Sequence, residues 1–89
     1  MNKIRLVVTN SVGTRSNEFR LPADTEAHRL ISKCEALWSL PTAHEDGQPI
    51  VRYLHCKRTS QQITDRMTLR EAAINDGDRL EIKERMIAG

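Results

Sequence analysis

The sequence predicts an α+β fold in which one main α-helix packs on a mixed β-sheet of four or five strands. Residues 27–38 carry an apolar stripe at helical spacing, and shorter segments on both sides alternate polar and apolar residues. A helix with one apolar face must cover one apolar face of a sheet. The predicted order is two strands, the helix, two strands, a short helical or turn-like segment and a last strand. The first and last strands can then lie side by side in parallel at the sheet centre.

The first two strands are predicted to form a hairpin. Residues 4–9 alternate, residues 10–14 supply the connection, and Gly13 can take the positive φ that such a connection needs. Residues 16–21 form the returning strand, and Pro22 ends it. The side chains expected to face inward are Ile4, Leu6, Val8, Phe19 and Leu21.

The helix follows this hairpin and has the clearest periodicity in the chain. Asp24 or Thr25 can cap its start, and Glu26 lies favourably at the positive end of the helix dipole. Pro41 ends the helical region. The stripe consists of Ala27, Leu30, Ile31, Cys34, Leu37 and Trp38.

A polar loop over residues 42–49 leads to a third strand over residues 50–55. Its inward set is open between Ile50, Arg52 and Leu54 on one side and Val51, Tyr53 and His55 on the other. Because neither set is purely apolar, we expect an edge strand or a bulge here.

The remaining elements are short. Residues 61–63 predict a fourth strand, residues 68–74 a helical or turn-like segment, residues 75–78 a sharp turn, and residues 79–83 the last strand. The expected core is Leu6, Leu30, Ile31, Cys34, Leu69, Ile74, Leu80 and Ile82.

Length and composition indicate one small domain. The chain has 89 residues, 29% of them charged, and a net charge of +2, so no polyanionic partner is indicated. It has no apolar run long enough to span a membrane and no signal-peptide pattern. Two cysteines at unrelated positions favour reduced thiols in the cytoplasm, with Cys34 in the core and Cys56 possible at the surface. We expect a monomer.

Residues 84–89 follow the last strand without a turn signal, and the sequence closes on Ala88-Gly89. The stretch over residues 68–82 resembles the last third of ubiquitin-like β-grasp domains. The residues that carry the resemblance are Thr68-Leu69, Ile74, Gly77-Asp78, Leu80 and Ile82. If Leu80 and Ile82 match the last ubiquitin strand, Arg85 falls where ubiquitin has an arginine read by its activating enzyme. Ala88-Gly89 then falls where ubiquitin has Gly-Gly, with alanine as a departure.

The resemblance implies a β-grasp domain over residues 1–83 and a flexible conjugation tail over residues 84–89. It implies a protein modifier rather than an enzyme. An E1-like activating enzyme uses ATP to activate Gly89, an E2-like conjugating enzyme passes it to target proteins, and a JAB-type deconjugating protease removes it. The modifier itself binds no cofactor. Arg85, Met86, Ile87 and Ala88 would be the tail residues that these enzymes recognise.

Two other functions remain open. Three parts of the sequence look closest to the bacterial YukD/EsaB branch of ubiquitin-like proteins. They are the Trp38-bearing helix, the loop after it and the stretch from Ile74 to Ile82. Members of that branch are accessories of type VII secretion and mostly lack a conjugation tail, although bacterial operons also pair YukD-like modifiers with conjugation enzymes. The third possibility is a ThiS/MoaD-like sulfur carrier, whose C-terminal glycine becomes a thiocarboxylate.

The surface recognised by partners is expected to differ from that of ubiquitin. Lys83 falls where ubiquitin has an apolar member of its recognition patch, and Tyr53 or Leu54 could supply a replacement, although either could equally belong to the core. His28, His44 and His55 lack metal-ligand spacing, so we expect no metal site. The basic run before Thr59 is short, and we expect neither a nucleic-acid nor a membrane partner.

Overall fold

A computed structural model describes residues 3–85. Its elements are β1 (Lys3–Thr9), β2 (Ser16–Pro22), α1 (Ala27–Leu37), β3 (Arg52–Cys56), β4 (Gln61–Ile63) and β5 (Asp78–Glu84). The strands form one sheet in the order β2-β1-β5-β3-β4. β1 and β5 are parallel, and the other neighbours are antiparallel. This is the β-grasp arrangement, and it confirms the predicted α+β class with β1 and β5 side by side.

The core lies between α1 and one face of the sheet. All eight residues of the expected core are buried, and Leu30 and Leu80 have no exposed surface. Leu21 is also buried, whereas Phe19 packs against the core from a partly buried position. Leu37 was predicted to belong to the apolar stripe that faces the core, and this is wrong. It is the last residue of the helix and is 53% exposed.

The helix start differs from the sequence prediction. Its N-cap is Glu26, with no side-chain capping bond, so neither Asp24 nor Thr25 has the expected role. The first helical N–H groups donate instead to distant main-chain carbonyls: Ala27 to Met67 at 2.9 Å and His28 to Asp65 at 2.9 Å. A main-chain carbonyl satisfies an orphan helical donor as well as a capping side chain does.

The segment that follows these two carbonyl groups forms a turn of its own. The Thr68 N–H donates to Glu71 Oε1 at 2.9 Å, and the Glu71 N–H donates to Thr68 Oγ1 at 3.1 Å. This reciprocal pair is a capping box, and the bond from the Thr68 backbone lowers the pKa of Glu71. The segment over residues 68–74 is therefore turn-like and ends with Ala73 at a φ of +56°.

The third strand corrects two expectations. β3 lies between β5 and β4 and is neither an edge strand nor bulged in the described pairing. Its buried set is Arg52, Leu54 and Cys56, so Cys56 is not a surface cysteine. The mixed character that suggested an edge comes from Arg52, whose charge is paired inside the fold.

Candidate functional site at the end of strand β5

The central strand β5 carries the chain to the predicted conjugation tail. β5 continues to Glu84, one residue beyond the predicted strand, and Glu84 pairs with Arg52 of β3. The Arg85 N–H then donates to the Val51 carbonyl oxygen at 2.7 Å. Glu84 and Arg85, which were assigned to a flexible tail, thus make defined contacts with β3. The predicted tail residues Met86, Ile87, Ala88 and Gly89 lie outside the described residues.

On the inner side of this strand end, a buried arginine joins the helix to β5. The Arg52 side chain is only 2% exposed. Its Nη1 donates to Glu35 Oε2 of α1 at 2.7 Å, and its Nη2 donates to Glu84 Oε2 at 3.5 Å. A buried guanidinium needs such partners, because an unpaired charge in a low-dielectric interior is strongly unfavourable. The three side chains together are called the Arg52 cluster below.

On the outer side of the strand end, the exposed groups are aromatic and basic. The Arg85 guanidinium lies 5.9 Å from the centre of the Tyr53 ring, within reach of a cation–π interaction. Tyr53 is opposite Lys83 in the β3–β5 pairing. Lys83 Nζ lies 3.3 Å from Glu81 Oε1 on the same strand. Tyr53, Lys83 and Arg85 are therefore brought together here.

Leu54 does not belong to this surface. It is fully buried. Successive residues of a strand point to opposite faces of the sheet, and Leu54 lies on the face that packs on the core. The possibility of Leu54 as a surface-patch residue is therefore wrong, and its alternative role in core packing is correct. Tyr53, the other candidate, is partly exposed.

A shallow cleft of about 270 Å³ adjoins the end of β5. It opens where β4 has ended, so that Arg52 and Tyr53 of β3 pair with β5 on one side and have no strand partner on the β4 side in the described pairing. The charge of Arg52 is buried and paired, so the exposed charged residues of the lining are Arg66, Arg85 and Asp65. Their balance is positive, which favours an anionic group over an apolar one. The lining consists of Val51, Arg52, Tyr53, Thr64, Asp65, Arg66 and Arg85.

The opposite end of β5 is held by a second ion pair. Arg58 donates from Nε to Asp78 Oδ1 at 2.9 Å and from Nη2 to Asp78 Oδ2 at 3.1 Å. The Asn75 N–H also donates to Asp78 Oδ2, at 2.8 Å. The hydrogen bond from Arg58 is the largest cause of a lowered pKa at Asp78, and burial opposes it. Arg58 lies in the exposed turn after β3 and fixes the start of β5 from there.

The cysteines have structural positions. Cys34 and Cys56 are both buried, reduced thiols. Burial and, to a smaller extent, the neighbouring Glu35 carboxylate together raise the pKa of the Cys34 thiol to about 12. Such a thiol is a poor nucleophile at neutral pH, since the thiolate is the reactive form.

Two other kinds of site are not found within residues 3–85. Histidine, cysteine and acidic side chains nowhere form a group of three suited to hold a metal ion in this part of the chain. Among the same residues, no helix has the length and apolar character needed to cross a membrane.

Comparison with known proteins relates the chain to others through its structure. No protein-family model matches the sequence, and no curated protein matches it significantly. The ubiquitin of Caldiarchaeum subterraneum superposes with a TM-score of 0.72 at 19% identity, over 99% of this chain and 100% of that one.

Two further solved structures superpose on this chain with similar TM-scores. A designed protein based on ubiquitin gives a TM-score of 0.75 at 20% identity, over 98% of this chain and 94% of that one. The ubiquitin-like domain of an Arabidopsis thaliana protein gives a TM-score of 0.71 at 13% identity, over 98% of this chain and 82% of that one. These identities are too low to transfer a function, but the superpositions extend over nearly the whole chain. The protein therefore has the ubiquitin-like β-grasp fold.

Proposed function

We propose that this chain is a bacterial, cytoplasmic ubiquitin-like modifier that is attached to target proteins through Gly89. The active form has Gly89 as its terminal residue, either as synthesised or after cleavage of a following segment. The domain is then a substrate of other enzymes and has no catalytic residue of its own. YukD-like proteins that occur with conjugation enzymes are the branch that we propose for it.

The attachment reaction has four steps, all performed by partner enzymes. The Gly89 carboxylate attacks the α-phosphate of ATP and forms an acyl adenylate, with release of pyrophosphate. A cysteine thiolate of the E1-like activating enzyme attacks the acyl carbon and releases AMP, and an E2-like enzyme accepts the acyl group by thioester exchange. A target amine then attacks the thioester and displaces the thiol. A JAB-type protease hydrolyses the resulting amide.

The observation that carries this proposal is the placement of the end of β5. The central strand of the sheet delivers the chain to the surface at Arg85, whose N–H is fixed by Val51. Residues 86–89 could reach about 13 Å beyond that point when extended. Gly89 has no side chain and Ala88 has only a methyl group, so the last two residues suit a narrow enzyme channel. Full-length similarity to a ubiquitin of the same fold supports the same reading.

The surface beside the tail supports a particular kind of partner. Arg85 with its neighbour Tyr53, the lysine at position 83 and the arginine-lined cleft favour acidic side chains on the activating enzyme. We further propose that the enzymes read Arg85, Met86, Ile87 and Ala88 along the tail. Receptors that bind ubiquitin through an apolar patch would meet the Lys83–Glu81 ion pair instead, and removing this ion pair from water against an apolar surface would oppose binding.

The test is incubation with ATP and an E1-like activating enzyme from the same organism. We expect ATP–pyrophosphate exchange, a thiol-sensitive enzyme adduct and, with the conjugating enzyme, amine-linked products visible by mass spectrometry. Deletion of Gly89 or the Gly89→Val substitution should abolish all three. Val12→Ser, at an exposed site in the hairpin connection, is the matched control and should react like the unmodified chain.

The outcome also separates the competing functions. Replacement of a terminal oxygen by sulfur would identify a ThiS/MoaD-like sulfur carrier. No ATP-dependent change in any reaction would favour a non-conjugating YukD-like accessory of type VII secretion. Undiminished coupling after deletion of Gly89 would exclude the proposed mechanism.

A further inference from the structure

We propose that Arg52 is a positioning residue for the tail and that the Arg52 cluster acts as a latch on Glu84. Arg52 keeps its ion pair with Glu35 permanently, whereas Glu84 is held at rest and released when a partner enzyme draws the tail out. The functional part of this inference rests on the proposed role as a modifier. The latch itself is a property of the isolated domain and can be tested there.

The first argument is position. Glu84 is the last residue of β5 and lies opposite Arg52, the first residue of β3. The next residue, Arg85, donates its N–H to Val51 and places its guanidinium beside the Tyr53 ring, on the outer face of the sheet. Within residues 3–85, the Arg52–Glu84 ion pair is therefore the last side-chain contact of β5 on the core side. It determines the point from which the tail starts.

The second argument is the asymmetry of the two ion pairs. The Arg52–Glu35 distance is 2.7 Å and the Glu35 side chain is 20% exposed. The Arg52–Glu84 distance is 3.5 Å and the Glu84 side chain is 54% exposed. The closer pair is shielded from water and the longer pair is open to it, so the Glu84 contact is the weaker of the two.

The third argument is what happens when Glu84 leaves. If Glu84 were the sole partner of Arg52, its departure would leave the Arg52 guanidinium buried without a partner, which is strongly destabilising. With Glu35 in place, Arg52 remains paired, and the exposed Glu84 carboxylate regains water. Glu84 can therefore separate from Arg52 without unfolding the domain. Freeing Glu84 and Arg85 lengthens the extended tail from about 13 Å to about 20 Å.

The test compares three single substitutions that each remove one carboxylate: Glu84→Gln, Glu35→Gln and Glu81→Gln. Glu81 is the matched control, because it is also on β5 but pairs with Lys83 on the other face of the sheet. Water exchange of the Arg85 amide, measured by NMR, reports whether its bond to Val51 is intact. The melting temperature of each variant reports the stability of the whole domain.

We expect Arg85 amide exchange to become roughly two- to fivefold faster in Glu84→Gln and to stay unchanged in Glu81→Gln. The melting temperature of Glu84→Gln should fall by less than about 4 °C, and that of Glu35→Gln should fall further, because Arg52 then loses its closer partner. Unchanged Arg85 exchange in Glu84→Gln would overturn the latch, as would equal destabilisation by Glu84→Gln and Glu35→Gln. None of these measurements uses an activating enzyme, so a failure of the proposed function would be seen separately, in the coupling reactions of Gly89.

Discussion

Asp78 and Arg58 form a two-point ion pair that fixes the first residue of the central strand, 20 residues along the chain from the arginine. Asp78 is buried, and Arg58 also donates to the Ala73 carbonyl oxygen at 2.8 Å. The pair therefore connects the turn after β3, the turn before β5 and β5 itself. Its two ends differ in exposure, since the arginine is partly open to water.

Asp78→Asn should destabilise the domain at neutral pH by about 1–2 kcal/mol, less than a fully buried charged hydrogen bond because Arg58 is partly exposed. The folded-state pKa of Asp78 lies below its unfolded value of about 3.9, so its stabilisation is complete above that value and lost as the pH falls through the folded pKa. Urea unfolding at pH 7 and pH 3 should show the difference from the unmodified chain shrinking at the lower pH. Asp65→Asn, at an exposed site, should differ by less than about 0.5 kcal/mol at either pH. A gap that stays constant with pH would contradict this role of the ion pair.

Leu30 and Leu37 provide a comparison within one helix. Leu30→Ala should cost about 2–5 kcal/mol because Leu30 is fully buried, and Leu30→Asp should unfold the domain. Leu37→Ala removes the same atoms from an exposed site and should cost less than about 0.5 kcal/mol. Thermal unfolding followed by circular dichroism measures both. Similar losses from the two alanine substitutions would contradict the placement of the core.

Ala73 has a positive φ that a residue with a side chain rarely adopts. Ala73→Gly should stabilise the domain by up to about 1 kcal/mol, because relief of left-handed strain exceeds the added chain entropy of glycine. Ala72→Gly, at the preceding buried position without a positive φ, should instead destabilise it by about 1 kcal/mol. Chemical denaturation of the two variants checks the opposite signs, and destabilisation by both would show that the Ala73 backbone is not strained.

The two cysteines should resist thiol reagents in the folded protein. Both are buried, and burial holds the pKa of Cys34 near 12. We expect a negligible reaction with a chromogenic disulfide at pH 7.5 and stoichiometric labelling of both thiols in denaturant. Rapid labelling of either thiol without denaturant would show that the core opens locally.

Arg85 can be tested for recognition in the proposed reaction. Arg85→Leu should raise the KM of the activating enzyme for the chain roughly 5- to 30-fold, as expected for loss of about 1–2 kcal/mol of charge-complementary contact. Arg79→Leu removes an exposed arginine from the far end of the same strand and is the control. Equal effects of both substitutions would indicate general electrostatic attraction instead of recognition at the tail.

Local patterns in the sequence predict much of this fold. The stripe of α1 and the alternation of β1 and β2 follow from burial of one face, so periodicity alone finds Leu30 or Leu6. Arg52 was missed as a structural residue because its partners Glu35 and Glu84 are distant along the chain, and no local pattern marks them. The charged position within an otherwise apolar inner set was the available signal.

Partners that are distant along the chain also explain the other features that the sequence did not predict. The carbonyl groups that cap the helix belong to Asp65 and Met67, which only the tertiary fold brings to its start. At the candidate site, the sequence identified Arg85 and Tyr53 separately, but not their proximity or the cleft beside them. Both depend on the pairing of β3 with β5.

The parallel pairing of β1 with β5 has a consequence for how the protein is made. Leu6 lies beside Asp78, and β5 separates β1 from β3 in the sheet. A growing chain on the ribosome therefore cannot close this sheet until its final strand has emerged, since every earlier segment lacks the strand that joins the two halves. We expect the two halves of the sheet to join only after nearly all of the domain has been synthesised, and long-range pairing of this kind slows folding.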